Sequence, residues 1–158
     1  MFVSYFTDLA VPADLARAAI LEAPEAWVPD LARDASARGE RLLVELGFDV
    51  AATRFGREAV IRIDPPVHLG EKTTIPMRWS PTKPDSMIPV FEADLEIAPW
   101  GPGTTQLALS VRYRPPLGRV GNAIDRAVMH RVAEAIVKDF LDRVRETVLV
   151  SSTLTAIP

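Results

Sequence analysis

Residues 107–127 read L-A-L-S-V-R-Y-R-P-P-L-G-R-V-G-N-A-I-D-R-A. Leu107, Leu109, Val111 and Tyr113 alternate with polar or small residues, the period-two signature of a half-buried strand. Pro115 and Pro116 offer no ladder donor and end it. Gly118 and Gly121 let the chain turn. Asn122 is a good N-cap, with Asp125 three residues later in place of the acidic partner of a capping box. The stretch is a switch from the last strand of a sheet into a long helix.

Counted from Ala123 to Leu149, that helix is about 40 Å long at 1.5 Å per residue. Val120, Ile124, Val128, Val132, Ile136, Phe140, Val144 and Val148 place an apolar residue at every fourth position. Four residues advance about 400°, so the row drifts by roughly 40° per step. The second half has a clean apolar face from Ile136, Val137, Phe140, Leu141, Val144 and Val148, while the first half turns another side inward. A sheet wrapped around the helix, a kink, or a dimer contact suits the drift, as does a broad buried arc filled by β-branched residues.

Upstream, prolines at 65–66, 81, 84, 89, 99 and 102 separate further alternating runs. Phe91, Ala93, Leu95 and Ile97 oppose Glu92, Asp94 and Glu96; Ala59, Ile61 and Ile63 oppose Glu58 and Arg62. Ile75, Met77 and Trp79 oppose Lys72, Thr74 and Arg78, and Pro76 on the second face marks this as an edge or bulged strand. Val3, Tyr5, Thr7, Leu9 and Val11 form a first strand. Leu42, Val44, Leu46 and Phe48 suggest another, with a helix ending near Gly47 as the rival reading. One helix begins near Pro12–Asp14 and a shorter one follows Pro29. The order, a strand, two short helices, five or so further strands and a long helix, predicts an α+β fold with a curved, mostly antiparallel sheet of six or seven strands wrapped around the C-terminal helix.

The 158 residues fit one domain, expected over 1–149, with the uncharged 150–158 as a flexible tail. Cysteine is absent, which excludes disulfides, thiolate nucleophiles and Cys-rich metal sites and fits a cytoplasmic location. A net charge of −3, with no basic stripe, argues against nucleic acid as a partner. The N-terminal residues lack a basic stretch and meet Asp8 early, so no signal peptide is expected. No apolar run approaches the ~18 residues of a membrane span, so no integral membrane association is expected. The glycines of 101–103 and of 118 and 121 lack the spacing of a phosphate-cradling loop.

In its β-α-α-β…β-α order, in Trp27-Val28-Pro29, and in Tyr113-Arg114-Pro115-Pro116-Leu117-Gly118 before a long C-terminal helix, the chain resembles the START-like, helix-grip superfamily, also called SRPBCC or polyketide cyclase/dehydrase-like. The resemblance covers nearly the whole chain and is one of pattern. It implies a curved sheet gripping the C-terminal helix around a deep, mostly apolar cavity. Members bind lipids, sterols, polyketides or plant hormones, and some are cyclases or dehydratases, so the fold narrows the ligand class and little else.

Sorting each strand by face tests whether that cavity holds chemistry. The inner face takes Val3, Tyr5, Thr7, Ile61, Ile63, Ile75, Met77, Trp79, Phe91, Ala93, Leu95, Leu107, Leu109, Val111 and Tyr113, with no charged residue and no histidine. Glu92, Asp94 and Glu96 fall on the opposite face with Arg112 and Arg114, as a solvated surface. His68 lies in a turn after Pro65-Pro66 and His130 among Arg126, Arg131 and Glu134 on the helix, a poor metal constellation. No metal, cofactor or catalytic residue is assigned, and the reading leans away from an enzyme.

Tyr5, Ile61, Met77, Trp79, Phe91, Leu109, Val111, Tyr113, Ile124 and Val128 are the expected ligand-binding residues, their aromatic members equally suited to filling a core. The expected partner is a hydrophobic small molecule: a lipid, polyketide or aromatic metabolite. Two alternatives stand beside this: a cyclase- or dehydratase-type enzyme using Tyr113, Tyr5 or a residue assigned to the wrong face, such as Arg62 or Glu92 pointing inward, and an interaction module with a collapsed cavity, including a homodimer through the helix.

Overall fold

Alternation along the sequence becomes a sheet because each strand has one face to bury. The computed structural model describes residues 1–48, 59–81, 89–114 and 126–155. Its strands are β1 (Phe2–Leu9), β2 (Ala59–Ile63), β3 (Val67–Leu69), β4 (Lys72–Pro81), β5 (Val90–Pro99) and β6 (Thr105–Arg114), and its helices α1 (Ala13–Leu21), α2 (Pro24–Glu45) and α3 (Arg126–Thr155). The sheet runs β1-β6-β5-β4-β2, with β3 beside β4 and every pair antiparallel. This is the α+β helix-grip architecture, with β4, β5 and β6 as a meander and β1 returning to the edge next to β6. The Pro115–Asp125 switch, with its proposed cap at Asn122, lies outside the described residues.

The inner face is the expected one. Ile75, Met77, Trp79, Phe91, Ala93, Leu95, Ile97, Leu107, Leu109, Val111 and Tyr113 are all buried. Each fully buried large side chain contributes roughly 1.5–3 kcal/mol against an exposed one. On the other face Arg78, Glu92 and Arg112 stand in register across three strands, an opposite-charge row exposed to solvent. Arg62 is exposed as well. The two side chains whose inward rotation would revive an enzyme reading therefore both point away.

Four elements depart from the sequence reading. The first strand stops at Leu9; Val11 is buried beyond it in a tight turn, its N–H on the Leu9 carbonyl at 2.9 Å. β4 is not an edge strand, because β2 and β3 flank it on one side and β5 on the other. Pro76 is tolerated because its carbonyl accepts from Asp64, between β2 and β3. A strand residue's N–H points to the same side as its C=O, so the missing donor faces that break in the ladder.

The third departure is α2, expected short and observed over 22 residues with Pro29 inside it. The apparent strand of Leu42, Val44, Leu46 and Phe48 is its C-terminal end. Gly47 takes φ 94°. Its N–H reaches the Val44 carbonyl and that of Phe48 the Leu43 carbonyl, each at 3.0 Å, which is a Schellman termination. The side chains α2 buries are largely small: Val28, Ala32, Ala35, Ser36, Gly39 and Leu43. They let α2 close on α3, which also packs against α1, β1 and β6. Cover on more than one side explains the broad arc of α3, where Met129, Val132, Ala133, Ile136, Val137, Phe140, Leu141, Val144 and Val148 are all buried. Fourth, α3 stays helical to Thr155, through residues the sequence reading assigned to a tail.

Candidate functional site

Register turns the inner face into rows that cross the sheet. Tyr5, Leu109, Leu95 and Ile75 form one, and Val3, Val111, Ala93, Met77 and Ile63 the next. The row after it is Tyr113, Phe91, Trp79 and Ile61. It stands at the end of the sheet where β4 and β6 finish and β5 begins. Three aromatic rings on three adjacent strands thus lie side by side, a juxtaposition set by pairing rather than by sequence proximity.

The rings touch. Trp79 meets Phe91 edge-on at 5.0 Å between centroids, and Phe91 meets Tyr113 at 6.2 Å. From α3, Phe140 packs over Trp79 at 5.4 Å and His130 lies 6.3 Å from Tyr113. Trp79, Phe91, Tyr113 and Phe140 are each 2% exposed or less. Aromatic pairs in such geometry contribute about 0.5–1.5 kcal/mol beyond the area they bury.

Within this apolar wall two polar atoms differ in their partners. The Trp79 indole Nε1 is buried and has no hydrogen-bond partner among the described residues. Tyr113 does have one: its hydroxyl lies 3.0 Å from Nδ1 of His130. The imidazole Nε2 is in turn 3.2 Å from the Glu134 carboxylate, one helical turn on, where both side chains are about half-exposed. Burial, and then the Glu134 charge, push the Tyr113 phenol above its ordinary value of 10.0, so it stays protonated through the neutral range. The carboxylate only accepts, so in the tautomer with the imidazole proton on Nε2 the ring donates to Glu134 and takes the phenol proton at Nδ1.

The expected ligand residues separate into groups. Trp79, Phe91 and Tyr113 share the aromatic row with Ile61, which is half-buried on β2. Met77 and Val111 lie in the adjoining row and Leu109 in the one beyond it, all buried. Val128 is half-buried near the start of α3, and Ile124 lies outside the described residues. Tyr5 stands apart. Its hydroxyl donates to Asp142 at 3.4 Å, with the Lys138 ammonium 5.7 Å above its ring. It ties the β1 edge to α3 among charged groups.

His130 is what the sequence reading missed. Among Arg126, Arg131 and Glu134 it reads as a surface residue, and only the register of α3 on β6 brings it to Tyr113. The i,i+4 spacing of His130 and Glu134 was the available signal. His68 is at the other end of the sheet, its Nδ1 3.0 Å from the buried Thr73 hydroxyl. Arg17 reaches the same hydroxyl from α1 at 3.0 Å and the Glu71 carbonyl at 2.8 Å. These groups border a surface pocket of about 530 Å³. A second, of about 520 Å³, lies between α1, Trp27 and Thr147–Ser152. Both are separate from the aromatic row.

No family model and no curated protein matches the sequence. Solved structures do. A conserved protein from Geobacillus kaustophilus aligns over 96% of this chain and 97% of its own at 12% identity, with a TM-score of 0.54. The structure of Ara h 8.0201 aligns over 95% and 98% at 10% identity, with a TM-score of 0.51. An aromatase/cyclase from a Streptomyces species aligns over 97% and 93% at 13% identity, with a TM-score of 0.49. At these identities the first two, with TM-scores above 0.5, show a likeness of fold alone, the helix-grip architecture.

Proposed function

We propose that this START-like, helix-grip chain binds a neutral apolar or amphipathic small molecule, of the lipid, polyketide or aromatic-metabolite kind, between its sheet and α3. The observation that carries the proposal is the Trp79 indole. A buried tryptophan N–H ordinarily finds an acceptor, and leaving one unsatisfied costs about 1–3 kcal/mol. Here it sits between Phe91 and Phe140, side chains that offer none. A bound carbonyl, ether or hydroxyl oxygen would satisfy it. The uncharged inner face fits a neutral occupant, and apolar walls with a few placed polar atoms are how small-molecule sites are built. The absence of cysteine supports a cytoplasmic setting, and no described helix is long and apolar enough to cross a membrane.

Native mass spectrometry of gently purified protein tests this. The expected result is a small-molecule adduct that is lost on denaturation and reduced in Trp79→Phe, which keeps an aromatic ring and removes only the donor. Protein that carries no adduct, and whose Trp79 fluorescence is unmoved by any apolar compound offered, would overturn the proposal.

One observation favours a second reading, a cyclase- or dehydratase-type enzyme. The Tyr113–His130–Glu134 chain connects a buried phenol to solvent, as a proton-transfer group requires. Recovery of the adduct chemically unchanged after prolonged incubation counts against it.

A further inference from the structure

β1 has one side paired and one side open. Met1 and Tyr113 exchange both backbone bonds: the Tyr113 N–H donates to the Met1 carbonyl at 3.0 Å, and the Met1 amine to the Tyr113 carbonyl at 3.3 Å. Such pairs alternate along an antiparallel ladder, so Val3, Tyr5, Thr7 and Leu9 aim their backbone groups at β6. Those of Phe2, Ser4, Phe6 and Asp8 aim the other way. The Asp8 carbonyl bears this out, accepting from Nε of Arg145 at 3.0 Å. Among the described residues no strand lies on that side, which leaves the N–H and C=O of Phe2, Ser4 and Phe6 without a ladder partner.

Proteins usually blunt such an edge with lysine, proline, a bulge or a short strand. β1 has none of these. Its eight residues pair with β6 without a break, and its only charge is Asp8. Phe2 and Phe6, on the outer face, are 58% and 63% exposed. The open row is also its own complement. A two-fold axis through Ser4, normal to the sheet, places Phe2 opposite the partner's Phe6, Ser4 opposite the partner's Ser4, and Phe6 opposite the partner's Phe2. All are open residues, so each pair exchanges both bonds and every open N–H and C=O of the three is used. Two phenylalanine pairs flank the small serines at the axis, and cross-strand aromatic pairs are favourable. Sliding by two residues sets Phe2 opposite the partner's Ser4 or the partner's Asp8 and breaks both ring pairs. Sliding by one meets groups already bonded to β6.

We propose that two copies of this chain pair antiparallel through β1 in this register, continuing one sheet across both subunits. The contact is isologous, so it closes at two copies, and it is independent of the ligand reading above.

Sedimentation equilibrium from roughly 1 μM to 1 mM, the span of weak to moderate association, reads the stoichiometry. Wild type is expected to form a dimer and nothing larger. Ser4→Pro removes the N–H at the axis. Proline fits an edge strand whose N–H points off the sheet, so Tm should hold while dimerisation weakens about a hundredfold or more. Phe2→Lys with Phe6→Lys should also dissociate the dimer, because like charges then face each other. Phe2→Lys with Phe6→Glu should restore it, because this register sets lysine opposite glutamate. The chain has no cysteine, so Ser4→Cys supplies a single thiol at the axis. Its Cα lies about 5.5 Å from that of its mate in such a pair, within disulfide range. Mild oxidation is expected to cross-link Ser4→Cys and not Phe2→Cys. Wild type that stays monomeric throughout the series overturns the inference. So does a dimer that survives both Ser4→Pro and the paired lysines, or one whose Ser4→Cys thiols stay free.

Discussion

Ile136 of α3 packs directly on the backbone of Gly39 in α2: a Cβ placed on that glycine would stand 2.5 Å from both Cγ1 and Cδ1 of the isoleucine. The contact sets how closely the two helices approach, and hence where α3 lies on the sheet. Glycine inside a helix costs about 1 kcal/mol against alanine, so this position gives up local stability for proximity. Gly39→Ala is expected to destabilise the protein by about 1–2 kcal/mol despite the better helix former, since overpacking costs about 1–3 kcal/mol. In an Ile136→Ala background the same change is expected to be neutral or stabilising. Urea unfolding of the four proteins in a double-mutant cycle checks this, and additive effects would contradict it.

Trp79 should separate stability from binding. Trp79→Ala removes a fully buried ring and is expected to cost about 3–5 kcal/mol. Trp79→Phe should cost far less in the unliganded protein, because it also removes an unsatisfied donor that costs about 1–3 kcal/mol. Thermal unfolding with and without ligand is the measurement. The expected pattern for Trp79→Phe is near-normal stability alone and a clearly smaller ligand-induced rise in Tm.

The Tyr113 phenol should ionise above the ordinary tyrosine range, through burial first and the Glu134 charge second. A raised folded-state pKa means that the proton favours the folded form. The associated stability is fully present below about pH 10, the unfolded tyrosine value, and is lost as pH rises through the folded value. Phenolate absorbance in a Tyr5→Phe background isolates Tyr113. Glu134→Gln is expected to lower the midpoint part of the way, leaving it above the ordinary value because burial remains.

Arg17 fastens α1 to the β3–β4 turn with a planar fork: Nε to Thr73, Nη2 to the Glu71 carbonyl, and Nη1 to Asp14 at 3.1 Å. Arg17→Ala is expected to cost about 1–2 kcal/mol, as hydrogen bonds from a charged donor do. Arg17→Lys should recover little of this, since one ammonium cannot reproduce the fork. Chemical denaturation midpoints test both; full rescue by lysine would show that charge alone matters here.

Alternation was a sound guide wherever a strand has one buried face, because a shift of one residue would reverse every side chain. It placed Ile75 through Tyr113 correctly and put Arg62 and Glu92 outside. At Leu42–Phe48 it left a strand and a helix ending near Gly47 as rivals, because apolar residues near a helix end mimic period two, and the helix is the one observed. The length of α2 was hard to read because its buried side is built from alanine, serine and glycine. Those residues signal close approach only when the partner helix is known.

From residue order alone came the class of fold, the sheet's inner and outer faces, the uncharged lining and the long terminal helix, all properties of local period and burial preference. Tertiary structure alone decided that Trp79, Phe91 and Tyr113 stand in one row, that the Trp79 indole lacks a partner among the described residues, and that His130 meets Tyr113. Those relationships depend on strand register and on the seat of α3 between α2 and the sheet. Both are set by packing among residues far apart in the chain, which no local pattern records.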